Sequence, residues 1–122
     1  MDVLIREFRK GQRFWSVSAA DPEHIPNAFE PRWSADGKQL YFLTGTGPVR
    51  LMAVAVEPGG QGGLRLGLPQ RLFELRIPMN LAAANRWSYS PHPDGKRFLV
   101  NALVEGGEPV VNVITNWQKA AR

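Results

Sequence analysis

Two Asp-Gly-Lys triplets, Asp36-Gly37-Lys38 and Asp94-Gly95-Lys96, hold the residues whose types could do chemistry, since paired carboxylates can divide general acid and base work. Each Asp stands beside a Gly in a turn sequence, where an Asp side chain bonds nearby backbone instead of moving protons. His24 and His92 form no His-x-x-x-His pair and have no carboxylate triad beside them, so they do not make a metal site. There is no Gly-x-Ser-x-Gly elbow to present a nucleophilic serine. Gly59-Gly60-Gln61-Gly62-Gly63 lacks the Lys-Ser/Thr that completes a phosphate loop and reads as a hairpin turn. No catalytic, cofactor-binding or metal-ligating residue is assigned, and the expectation is a chain that is not itself an enzyme.

Two further patterns have a binding reading beside a structural one. Arg6, Arg9, Lys10 and Arg13 could contact phosphates, yet cations that protect a strand edge from aggregation give the same cluster. With 15 basic and 11 acidic residues the formal charge is only +4, and nucleic acid is not expected as a partner. Arg32-Trp33 and Arg86-Trp87 could stack on bases, but Trp15, Trp33, Trp87 and Trp117 are better explained as packing between β units with Arg over their edges.

The elements that must hold these residues are strands. Twelve Gly and ten Pro in 122 residues punctuate the chain too often for long helices, and 43% apolar content is that of a folded domain. The absence of cysteine excludes disulfides, thiol catalysis and Cys-type zinc sites. No window approaches the ~20 apolar residues that span a bilayer, so membrane insertion by this segment is not expected, and the N-terminus lacks a signal peptide's apolar core.

In chain order, Val3 to Phe8 and Phe14 to Ser18 read as a hairpin, and residues 19 to 27 as a Pro-containing loop. Glu30 to Trp33 and Gln39 to Leu43 flank the Asp36-Gly37 turn. Leu51 to Val56 is apolar at every position, so both faces of that strand must be covered. Arg71 to Ile77 alternates into another strand, and Ala82-Ala83-Ala84 offers at most a helical turn. A second hairpin spans roughly Arg86 to Asn101, and Val110 to Trp117 is dense in β-branched residues.

The two triplets lie 58 residues apart, each followed by an aromatic and aliphatic strand. A supersecondary unit repeated on this scale is the mark of propellers and solenoids, in which each unit covers its neighbour's apolar face.

Pro31-Arg32-Trp33-Ser34-Ala35-Asp36-Gly37-Lys38-Gln39-Leu40-Tyr41-Phe42 resembles the repeat of TolB-like, WD40-like β-propellers, with Ala35 where that family usually has proline. The second copy keeps Pro93-Asp94-Gly95-Lys96, but the longer interval from Trp87 predicts a bulged or shifted first strand. The order of segments along nearly the whole chain is similar to the C-terminal end of propellers attached to bacterial serine/threonine protein kinases. Pro31, Trp33, Ser34, Asp36, Gly37, Lys38, Trp87, Pro93, Asp94, Gly95 and Lys96 are the repeat-motif residues, with a structural role.

The resemblance implies an all-β chain of antiparallel four-stranded propeller blades. Residues 1–20 supply the outer strands of one blade, 28–77 a complete blade, and 86–117 a last blade lacking its fourth strand. Such a chain is an open fragment of a larger propeller, partnered by the missing blades of its parent chain and marginally stable or self-associating alone. The implied role is a protein- or ligand-binding, sensory module in a periplasmic or extracytoplasmic setting. An accessory propeller of a prolyl-oligopeptidase-like hydrolase and a structural envelope-assembly module are the alternatives.

Overall fold

A computed structural model describes residues 2–6, 13–19, 25, 27–45, 48–76, 88–103 and 109–115. Among these residues ten strands run β1 (Leu4–Arg6), β2 (Phe14–Ser16), β3 (Ala28–Trp33), β4 (Gln39–Thr44), β5 (Val49–Pro58), β6 (Leu64–Leu66), β7 (Gln70–Leu75), β8 (Tyr89–Pro91), β9 (Arg97–Leu103) and β10 (Pro109–Thr115). They form three antiparallel sheets, and the described residues contain no α-helix. The Ala82 to Ala84 stretch and the loop residues before Ile25 lie outside the described residues.

The middle sheet orders its strands β3-β4-β5, and β5 then has two partners on its far side. Val49 to Ala53 of β5 pair with β7, and Val56 to Pro58 pair with β6. The β5 to β6 connection is a tight glycine turn in which Gly59 N–H donates to Gly63 O at 2.8 Å. A register shift between Leu51 and Met52 leaves Leu72 without a partner in the β5–β7 ladder, and it is buried beside Phe73 and Leu75.

Strand pleating sends successive side chains of β4 and β5 to opposite faces, and both faces are apolar. Tyr41, Leu43, Val49, Leu51 and Ala53 pack with Tyr89, Phe98 and Val100 of the β8-β9-β10 sheet. Leu40, Phe42, Met52, Val54 and Val56 pack with Val3, Ile5 and Val17 from the β1-β2 sheet and its flank. The middle sheet is therefore sandwiched between the other two, as the unbroken apolar run at Leu51 to Val56 requires. Phe98 is the hub of the second junction, its ring edge-on to Tyr41 at 5.1 Å and to Phe73 at 5.7 Å.

The 58-residue repeat reappears as geometry. Leu40 pairs with Trp33 in the middle sheet, and Phe98 pairs with Pro91 in the last. The position of Trp33 is thus taken by Pro91 and not by Trp87, which lies outside the described residues. A bulge lies in the first copy, where the β3–β4 register shifts between Phe29 and Arg32; in the second, β8 pairs regularly from Tyr89 to Pro91, and the stretch at Trp87 on which the expected bulge or shift falls lies outside the described residues. Pro31, which has no N–H to give a ladder, sits in that gap.

Candidate functional site

The Asp-Gly-Lys triplets form the same turn twice. Gly37 N–H donates to Ser34 O and Gly95 N–H to His92 O, each at 3.0 Å, and both glycines have φ of 71°. A side chain at that φ would be strained, which is why Gly closes both turns. Lys38 N–H donates to Asp36 Oδ1 at 2.9 Å, and Lys96 N–H to Asp94 Oδ1 at 2.8 Å. Pro93 and Ala35 occupy the second position of the two turns, where a fixed proline φ is compatible.

The turns differ in their first residue. Ser34 Oγ donates to Asp36 Oδ1 at 2.7 Å and accepts Gln39 N–H at 3.0 Å. In the second turn His92 Nδ1 accepts Asp94 N–H at 3.1 Å, and Arg97 Nε–H donates to Asp94 Oδ2 at 3.0 Å. The Ser34 hydroxyl chiefly holds the Asp36 carboxyl below the usual carboxylate range, and the Lys96 N–H does the same for Asp94. Both are ionised acceptors at neutral pH, fitted to hold turns and unsuited to donate a proton. Pro31, Trp33, Lys38 and Lys96 are exposed or nearly so, with Trp33 at 47%.

A second constellation joins the middle and last sheets. Glu30 has a left-handed backbone, φ 52°, at the β3 bulge, unusual for a residue with a Cβ. Its Oε1 accepts the Ser88 backbone N–H at 2.9 Å and the Ser88 hydroxyl at 3.3 Å, while Tyr89 O–H donates to the Glu30 carbonyl at 2.7 Å. Oε2 is buried with no hydrogen-bond partner. Burial pushes the Glu30 carboxyl above its ordinary value, against the pull of Ser88 and Arg32. Burial likewise pushes up the Tyr89 hydroxyl.

The third feature lies where β2 meets the glycine turn. Arg13, Phe14, Trp15, Gly60, Gly63 and Leu64 line an open groove of about 450 Å³. Arg13 reaches Gln61 O and Gly62 O, both at 3.3 Å, and its guanidinium lies 5.7 Å from the Trp15 ring centre. Arg13 thus ties the first sheet to the second. Arg9, Lys10 and Arg86, together with His24, Trp87 and Trp117, lie outside the described residues.

Among the described residues no group of three or more His, Cys, Asp or Glu could hold a metal ion. No helix among them is long and apolar enough to cross a membrane. Sequence reasoning passed over Glu30, Ser88 and Tyr89 as a set. The signal was there, because Glu30 and Ser88 are separated by the repeat interval itself. No protein-family model, curated protein or solved structure matches the chain.

Proposed function

We propose that this chain is part of a TolB-like β-propeller acting as a non-catalytic platform that binds a protein or small ligand on its loops, with a sensory role in a longer protein. The observation that carries the reading is the middle sheet, covered on both faces by antiparallel sheets and sharing with the β8-β9-β10 sheet the same Asp-Gly-Lys hairpin turn. Stacked units of this kind leave loops clustered at the ends of their strands, where recognition is built without a reaction centre. Asp36 and Asp94 support a non-catalytic role because their carboxylates are engaged in turn bonds. The missing blades of a parent chain would complete the ring.

The test is a thermal-shift screen of the purified chain against short peptides and small polar metabolites, run beside peptidase, esterase and kinase assays. A ligand that raises the melting temperature without being turned over is the expected result. Turnover of a peptide, an ester or a nucleotide by the purified chain would overturn the reading.

A further inference from the structure

We propose that the strand ends carrying the two Asp-Gly-Lys turns form a basic docking face for an acidic peptide segment, whose carboxylates pair with Lys38 and Lys96. The proposal rests on the binding-platform reading and deepens it, naming the face that binds and the chemistry of the partner.

Three turns meet at this end of the molecule. Val56 N–H donates to Lys38 O at 2.9 Å, which sets the end of β5, and the glycine turn that follows it, beside the first Asp-Gly-Lys turn. Arg13 reaches that glycine turn through Gln61 O and Gly62 O. Tyr41 ties in the second Asp-Gly-Lys turn, because a Cβ on Gly95 would lie 3.8 Å from the Tyr41 hydroxyl. Burial, and then the carboxylates of both Asp36 and Asp94, make that hydroxyl harder to ionise, as a group set between the two turns must be.

The charges on this face divide into two kinds. Among the described residues its carboxylates are all engaged by the protein: Asp36 accepts the Ser34 hydroxyl and the Lys38 N–H, Asp94 accepts the Lys96 N–H and Arg97 Nε–H, and Glu57 pairs with Arg65. Lys38 and Lys96 are exposed, and no carboxylate among the described residues lies within ion-pair distance of either ammonium group. The turns spend their acids on their own backbone and leave their lysines to the surroundings. At the opposite strand ends Arg50 stands across from Glu74, and Arg76 is offset by Asp2, so the positive surplus among the described residues gathers at the turns.

Lys38 and Lys96 hold the same repeat position in sheets packed face to face, which sets them about 10 Å apart. An extended peptide advances roughly 3.3 Å per residue, so carboxylates about two to four residues apart reach both lysines. Neutral residues between those carboxylates pass over Asp36 and Asp94 without repulsion. A nucleic-acid backbone or an anionic membrane has no such gaps in its charge and would meet both aspartates, which is why a peptide fits this face.

Fluorescence anisotropy of the purified chain with a labelled peptide of alternating glutamate and serine, about eight residues long, tests the proposal. A lysine-serine peptide, a short oligothymidylate and vesicles of phosphatidylcholine with phosphatidylglycerol serve as comparisons. The glutamate peptide should bind, the lysine peptide should not, and rising salt should weaken the complex. Lys38→Glu combined with Lys96→Glu should weaken binding roughly tenfold or more, since both attractions become repulsions. Arg71→Glu combined with Arg76→Glu makes the same change in net charge away from the turns and should leave the affinity within about twofold. Failure to bind the glutamate peptide, equal losses in the two double variants, or tighter binding to the oligothymidylate or the vesicles would each overturn the proposal. Circular dichroism checks folding, and Lys38→Gln with Lys96→Gln replaces the glutamate pair if that variant does not fold. A chain that binds only uncharged ligands sinks the acidic-peptide proposal and leaves the platform reading standing, whereas substrate turnover sinks that reading and leaves the contact with acidic peptides in place.

Discussion

Ser88 donates its backbone N–H to Glu30 Oε1 at 2.9 Å, and the two residues are 58 positions apart, the interval that separates Asp36 from Asp94. One position of the repeat thus bonds to its own counterpart in the next unit. With Tyr89 O–H on the Glu30 carbonyl, the contact clasps the middle sheet to the last one beside the apolar junction around Phe98.

The clasp sets a pH dependence. Burial raises the Glu30 carboxyl above 4.5, so its contribution to stability is complete below that value and is lost as pH rises through the folded-state value. Ser88, Arg32 and Tyr89 are the groups that interact with it. Glu30→Gln keeps an acceptor for Ser88 and carries no charge. Its stability relative to wild type should therefore rise with pH above 4.5 and level off below it, as read from urea unfolding midpoints. Asp36 and Asp94 have depressed values and the opposite dependence, but they are common to both proteins and cancel in the difference. A difference that does not change with pH would remove Glu30 from this role.

Backbone strain separates four glycine and alanine substitutions. Gly37→Ala and Gly95→Ala should each cost roughly 1–2 kcal/mol, the penalty of a left-handed residue with a Cβ. The two costs should agree, because a Cβ at Gly37 meets nothing within 4 Å and one at Gly95 only Tyr41 Oη at an ordinary 3.8 Å. At Glu30 the order reverses: Glu30→Gly should be more stable than Glu30→Ala by about 1 kcal/mol, since both lose the carboxylate and only Gly relaxes at φ 52°. Thermal melts of the four variants decide it.

Packing at the second junction gives the largest effect. Phe98 is fully buried between Tyr41 and Phe73, and Phe98→Ala should cost about 3–5 kcal/mol through lost transfer energy and the cavity left behind. Leu99→Ala, one residue along and facing outward, should stay within about 0.5 kcal/mol in the monomer. Hydrogen exchange should show the Phe98 loss first at β8 and β9 amides and later at β4 and β5.

Much of the architecture was legible in the residues. The run Leu51 to Val56 has no polar face to offer water, and that alone required a strand covered on both sides. Asp-Gly-Lys at 36–38 and 94–96 located both turns, because the backbone conformation needed there is one that glycine adopts freely. Local patterns of this kind depend on neighbours in the chain, so they survive without tertiary information.

What only the tertiary structure decided are the contacts across the repeat. Trp87 looked like the counterpart of Trp33, but hydrogen-bond register, which counts residues from the turn outward, gives that position to Pro91. The bulge falls in β3, where Pro31 interrupts the ladder and Glu30 turns left-handed, and Ser88 and Tyr89 hold that residue from the next sheet. Which residues of a strand face a neighbouring sheet was likewise decided by the tertiary structure: Ile5 turns to the middle sheet while Leu4 beside it is exposed, and Phe98 is buried while Leu99 beside it is exposed, because pleating gives alternate residues to opposite faces.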